Sequence, residues 1–263
     1  MKAQTIFDNV PLAGAGLNVR LPARTRIRLW DLPVRLFHWS LVLMVVLAII
    51  TGELGGAWME VHGKAGLGIV GLVVFRLVWG LIGSDHARFL SFLPTPTKLK
   101  AYLKGQWRGV GHNPLGALSV IALLSLLAVQ GGTGLFSNDD ISFNGPLFTL
   151  VDEALAGRLT TLHKQFANLL LGLLAVHVAA IVFYARFKRD NLVKPMVTGW
   201  KDVELHQQPL TVPQRSGSIK GGWLAFLVAL ATALAVVYGV SGTNWSGAAS
   251  TVAAPATQGT PAW

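Results

Sequence analysis

The stretch RLTTLHKQFANLLLGLLAVHVAAIVFYARFKR, Arg158–Arg189, decides how this chain is read. Its apolar run is long enough to cross a bilayer as a helix, and it carries His163 and His177. Their spacing corresponds to a rise of about 21 Å and close to four whole turns, so both rings leave one face. One falls near each edge of the hydrocarbon layer. Ionisable groups are costly inside a membrane, and two imidazoles stacked on one stripe are therefore candidate ligands.

Composition supports a membrane setting. The 263 residues are 52% hydrophobic and 13% charged, against about 25% charged in a soluble domain. Apolar runs near span length recur, which gives an all-α integral membrane protein. There is no cysteine. That excludes disulfides, thiolate-held iron–sulfur clusters and a covalent CxxCH haem site, and leaves His, Met and carboxylate as ligands.

The spans are expected at about 32–52, 58–82, 114–136 and 160–187, with a fifth at 221–241. Asp31 is placed to cap the first helix, with Pro33 in its opening turn; Asn113 and Pro114 do the same for the third. His38 lies about 9 Å inside the first span. Gly52 lies on the same stripe, where it either ends the helix or lets a planar group lie against the backbone. His62 opens the second span, and Arg76 follows on its stripe. Gly63, Gly66, Gly68 and Gly71 there suit close approach by a helix or by a cofactor plane. Residues 1–28 read as a flexible polar arm with no signal peptide, 200–220 as a basic linker, and 242–263 as a disordered Ser/Ala/Pro/Thr tail.

Charge orients the spans. Of the 22 Lys and Arg residues, six precede the core of span one, five lie between spans two and three, and seven between spans four and five. The two opposite loops carry only Arg158. This asymmetry predicts a multi-pass bacterial inner-membrane protein with a cytoplasmic N-terminus and a periplasmic C-terminus. It also accounts for the net charge of +10 without a nucleic-acid partner.

Alternating spans put His62 level with His163 on the outer side and His38 level with His177 on the cytoplasmic side. Paired imidazoles from facing helices are what a b-type haem requires, so these four are the candidate iron ligands of two haems. Arg76 and Arg35 at the inner level, and Lys64 and Lys164 at the outer, are candidate partners for propionates. His112, just ahead of the third span, is placed to touch a propionate or a quinone headgroup. His86 and His206 fall in loops and read as solvated or locally bonded. Zinc would want three or four ligands at one depth, which these positions do not offer.

Four segments carry a resemblance in the right order: WDLPVRLFHW, HGKAGLGIVGLVVFRLVWG, GHNPLG and LHKQFANLLLGLLAVHV. They resemble the bacterial cytochrome b561 and nickel-hydrogenase cytochrome b family over about Arg28–Gly199. The resemblance implies a four-helix bundle holding two bis-histidine haems b and passing electrons between a quinone pool and a redox partner. The matching positions are His38, His62, His163 and His177. The fifth span, the arm and the tail lie outside it.

Two ligands per iron leave no open coordination position, which favours outer-sphere electron transfer over oxygenase chemistry. The first expectation is an electron carrier, rather than a stand-alone enzyme, working between quinone or quinol and a soluble or membrane redox protein, alone or as a homodimer. The second is the membrane-anchor subunit of a hydrogenase-like oxidoreductase. The third is a non-haem transporter or structural protein with packed histidines.

Overall fold

The computed structural model describes residues 7–11, 18–22, 24–107, 109, 111–141, 143–204 and 222–242. Five of its helices are long and apolar enough to cross a membrane. These are α1 (Leu32–Leu54), α2 (Met59–Ile82), α5 (Pro114–Gly134), α6 (Glu153–Arg186) and α8 (Gly222–Val240). The shorter α3 (Phe89–Phe92), α4 (Pro96–Leu103) and α7 (Val193–Thr198) lie in the connections. Four strands complete the described elements: β1 (Phe7–Pro11), β2 (Asn18–Pro22), β3 (Arg24–Arg28) and β4 (Trp200–Glu204).

Helix starts follow from side-chain caps. Asp31 accepts from the Val34 amide at 2.7 Å, and Asn113 from the Gly116 amide at 2.7 Å. Each satisfies a first-turn donor that the helix itself leaves free, and proline occupies the first turn in both. The spanning boundaries agree with the sequence to within a turn, with one exception. α6 begins at Glu153, seven residues ahead of the expected 160. Asp152 caps it by accepting from the Leu155 amide at 2.8 Å, and Glu153 sits at the positive end of the helix dipole. These polar turns precede the apolar run and are invisible to hydropathy.

α2 is the packing hub. It lies along α1 and α8 and also touches α5, which in turn packs on α6. α2 is the most buried of the five spans and α6 the least. Two apolar clusters form between them. One, near the start of α1, gathers Trp30, Val34, Phe37, Phe75, Trp79 and Leu124, and is closed by Ala229 and Ala233 of α8. The other joins Val45, Ile69, Val73, Leu127 and Leu170 across all four of the earlier spans. Leu170 lies midway between His163 and His177, so this second cluster is an apolar layer separating two levels of the bundle. Below, the level at the α1–α2 turn is called distal and the level near the start of α1 proximal.

The arm and the linker depart from expectation. The arm is expected to be flexible and the basic linker to carry no strand, yet β3 pairs antiparallel with β4, in register from Arg24 opposite Glu204 to Arg28 opposite Trp200. β1 pairs with β2 as a separate antiparallel ribbon. The Leu29 and Trp30 amides both donate to the Gly199 carbonyl, at 2.8 and 3.2 Å. Gly199 ends α7 at φ 84°, a left-handed conformation in which glycine carries no Cβ penalty. Arg26 covers the Trp200 ring at 5.3 Å, and Lys201 pairs with Asp190 at 2.8 Å. Backbone pairing plus these side-chain contacts is what orders a stretch with so few apolar residues. The rest of the expected linker, from residue 205, and the expected tail, from 243, lie outside the described residues, as does His206.

Asp31 ties the proximal end together. Besides capping α1, its other oxygen accepts from Trp79 Nε1 at 3.1 Å and from the Ser84 hydroxyl. Trp79 is fully buried. Replacing Asp31 with Ala removes a cap worth about 1 kcal/mol and strands a buried indole donor at about 1–3 kcal/mol. The melting temperature of the detergent-solubilised protein should fall for Asp31→Ala, with Asp31→Asn falling less.

Candidate haem-binding site

At the distal level, His62 of α2 and His163 of α6 are neighbours, edge-to-face, with ring centres 6.1 Å apart and planes at 86°. Both present the same tautomer. His62 Nδ1–H donates to the Ala48 carbonyl of α1 at 2.8 Å, and His163 Nδ1–H donates to the Gln130 carbonyl of α5 at 3.0 Å. A carbonyl only accepts, so the nitrogen facing it holds the proton and Nε2 keeps its lone pair. The Gln130 side-chain amide donates to His163 Nε2 at 3.3 Å, consistent with that assignment.

The two rings border a cavity of about 410 Å³. Its wall includes Gly52, Gly63, Gly66, Gly131 and Gly134, with Lys164 and Asn168 from α6. A Cβ on Gly66 would meet nothing within 4 Å, so that wall opens on space. Two imidazole–metal bonds of about 2 Å each, plus about 1 Å from each nitrogen to its ring centre, sum to about 6 Å. The spacing, the tautomer and the glycine wall therefore all fit a metal-centred planar group between His62 and His163.

At the proximal level, His38 of α1 and His177 of α6 lie within each other's electrostatic reach. His38 Nδ1 is buried without a hydrogen-bond partner, and His177 Nδ1 has only a long 3.4 Å contact with the Ser119 hydroxyl. Arg76 is 3% exposed and lies over the Phe89 ring at 4.7 Å, with Nη1 unpartnered. Arg35 donates through Nη2 to the Val197 carbonyl while its buried Nε has no partner. One buried and one half-buried guanidinium, each with an unused donor, suit an anionic group at this level.

The other sequence candidates divide. Lys164 lines the distal cavity, whereas Lys64 is exposed and pairs with Glu60 at 2.6 Å. Gly52 does not end α1, which continues to Leu54; the planar group against it is the His62 ring. The glycines of α2 split between the two expected roles. Gly71 admits Val237 of α8 and Gly68 faces Met44 of α1, while Gly66 opens on the cavity. His112 is held between the Trp30 and Phe92 rings, at 4.6 and 4.5 Å. Sequence reasoning missed Ser119, Asn168 and the two threonines, Thr51 and Thr133, beside the imidazole-accepting carbonyls. A Thr-Gly dipeptide marks both threonines, but it also occurs at Thr198–Gly199, so alone it discriminates nothing.

The family model described as prokaryotic cytochrome b561 matches residues 29–199. This chain belongs to that family. Family membership makes it a membrane electron-transfer cytochrome that uses b-type haem. Among curated relatives, a probable Ni/Fe-hydrogenase B-type cytochrome subunit of Azotobacter vinelandii is 26% identical over 221 residues, 68% of this chain and 89% of the relative. One of the same description from Bradyrhizobium diazoefficiens is 22% identical over 228 residues, covering 73% and 92%. The probable Ni/Fe-hydrogenase 1 B-type cytochrome subunit of Escherichia coli K12 is 22% identical over 141 residues, covering 41% and 59%. No solved structure gives a significant match. The matched segment ends where β4 begins, so in this family member α8 lies beyond it.

His112 gives this site a pH dependence. It lies outside the spans, and burial, then the Arg76 and His86 charges, push its pKa down to about 4. Burial also lowers that of His86. The unfolded chain takes up a proton near pH 6.5 that folded His112 refuses until about pH 4. Its contribution is therefore present above pH 6.5 and lost as the pH falls through that window, by about 3 kcal/mol at most. Thermal melts between pH 7 and 4.5 should show this decline, and His112→Phe should flatten it.

Proposed function

We propose that this chain carries electrons across the membrane through two b-type haems, between the quinone/quinol pool and a redox protein. His62 and His163 hold the distal haem, and His38 and His177 the proximal one, within the four-helix bundle of α1, α2, α5 and α6. The observation that carries this reading is the distal pair, two imidazoles protonated on Nδ1 that border one glycine-walled cavity with ring centres 6.1 Å apart. The level-matched second pair on the same α6 stripe extends it.

The roles follow from the side chains. A b-type haem supplies a one-electron iron couple. Four imidazoles hold the two irons and leave no open position for a substrate. Arg76 and Arg35 would neutralise propionates at the proximal level and Lys164 at the distal, while Lys64 is exposed and held by Glu60. The apolar layer around Leu170 keeps water out between the levels. The Lys/Arg asymmetry supports a proximal level on the cytoplasmic side. His112 is clamped between two rings at that face and is the residue we assign there to a propionate or a quinone headgroup.

The relatives' descriptions also fit a second reading, in which the chain is the membrane cytochrome subunit of a hydrogenase-like complex. Purification in mild detergent separates the two, since a tightly bound catalytic subunit supports the anchor.

The purified protein should hold two haems per chain, with a Soret band and a reduced alpha band. His62→Ala and His163→Ala should each lose one and the same haem, and His38→Ala and His177→Ala the other. Loss of the same haem by His62→Ala and His177→Ala would refute the pairing, and a spectrum without haem bands would refute the function.

A further inference from the structure

The environments of His62 and His163 are built twice from the same parts. In α1 the sequence Ala48-Ile49-Ile50-Thr51-Gly52 offers the Ala48 carbonyl to His62; in α5, Gln130-Gly131-Gly132-Thr133-Gly134 offers the Gln130 carbonyl to His163. In each, the accepting carbonyl stands three residues before a threonine and four before a glycine. Thr51 Oγ1 donates to the Leu47 carbonyl at 2.7 Å and approaches that of Ala48 at 3.3 Å. Thr133 Oγ1 does the same with Val129 at 2.9 Å and Gln130 at 3.1 Å. Both threonines are buried, at 1% and 8% exposure.

Each part has a physical job. A helical carbonyl has two lone pairs, and the helix uses one. The second is normally shielded by the side chain one turn on. Glycine at that position removes the shield, and the imidazole occupies the space. A Cβ on Gly52 would stand 3.0 Å from His62 Nδ1, and one on Gly134 2.9 Å from His163 Cε1. The threonine hydroxyl, bonding back one turn, tilts the local carbonyls outward, as such hydroxyls do in apolar helices. The proximal histidines have nothing comparable, since His38 Nδ1 lacks a partner and His177 Nδ1 meets only Ser119.

We infer that Thr51–Gly52 and Thr133–Gly134 are duplicate cradles whose task is to expose a backbone carbonyl to the Nδ1–H of the distal histidine on the next span. These four are positioning residues. They fix ring orientation, keep the proton on Nδ1 so that Nε2 carries the lone pair, and make both distal imidazoles stronger electron donors than the proximal pair. The inference rests on the haem reading above.

The test uses the full-length protein in detergent, with redox titration and electron paramagnetic resonance of each haem. Stronger donation favours ferric iron, so weakening a cradle should raise the distal midpoint potential. Gly52→Ala and Gly134→Ala should each raise it and change the distal ferric signal, leaving the proximal haem as it was. Thr51→Val and Thr133→Val should shift it the same way, and Thr51→Ser and Thr133→Ser should restore it. A shift in the haem that His177→Ala removes, or valine variants matching the parent, would overturn the inference.

A second measurement covers variants that do not assemble. In the dithionite-reduced, diamagnetic parent protein labelled with ¹⁵N-histidine, the Nδ1–H protons of His62 and His163 should lie downfield and exchange slowly. That of His38 should exchange fast; equal behaviour at both levels overturns the inference. If the protein holds no haem, the functional reading fails, while the same spectrum still reports whether His62 and His163 are protonated on Nδ1.

Discussion

A carbonyl inside an α-helix already accepts one hydrogen bond, and the distal level of this protein depends on two carbonyls that accept a second. An imidazole in hydrocarbon has two nitrogens to satisfy, and water is not available for either. Giving Nδ1–H to the Ala48 or Gln130 carbonyl satisfies one and leaves the other as a lone pair of defined direction. The rest of the bundle arranges itself around that need. α1 and α5 supply carbonyls, α2 and α6 supply imidazoles, and small residues let the pairs approach. α6 is the least buried of the spans and packs chiefly on α5.

The two levels differ chemically. The distal level is polar through backbone and small hydroxyl groups, with its rings held by paired bonds. The proximal level is polar through charge, with Arg76 buried against Phe89, Arg35 half-buried and Asp31 engaged by Trp79 and Ser84. Two sites of one ligand type can in this way have unlike surroundings, one set by hydrogen bonding and the other by nearby cations. The apolar layer at Val45, Ile69, Val73, Leu127 and Leu170 keeps those surroundings apart.

Much of this was legible in the letters. Periodicity and alternating spans put His62 level with His163 and His38 level with His177, because helix rise and turn are fixed. The Asp31–Pro33 and Asn113–Pro114 starts were readable because capping is local. Three things were not. The start of α6 lies in amphipathic turns that hydropathy averages away. The β3–β4 pairing joins segments far apart in sequence, and neither is apolar enough to announce itself. The partners of the distal imidazoles are backbone atoms, which every residue has and no letter encodes; only the glycines and threonines that uncover them leave a trace.

The ribbon of β3 and β4 has a consequence for how the protein is made. One strand precedes the first span and the other follows the fourth, so they can meet only if an even number of crossings separates them. β3 emerges early in synthesis and has no partner until the fourth span has been threaded. A chain that skipped or inverted one span would leave the two strands on opposite faces of the membrane. The ribbon, with the Leu29 and Trp30 amides closing on Gly199, therefore acts as a latch that the loss or inversion of a single span would leave open.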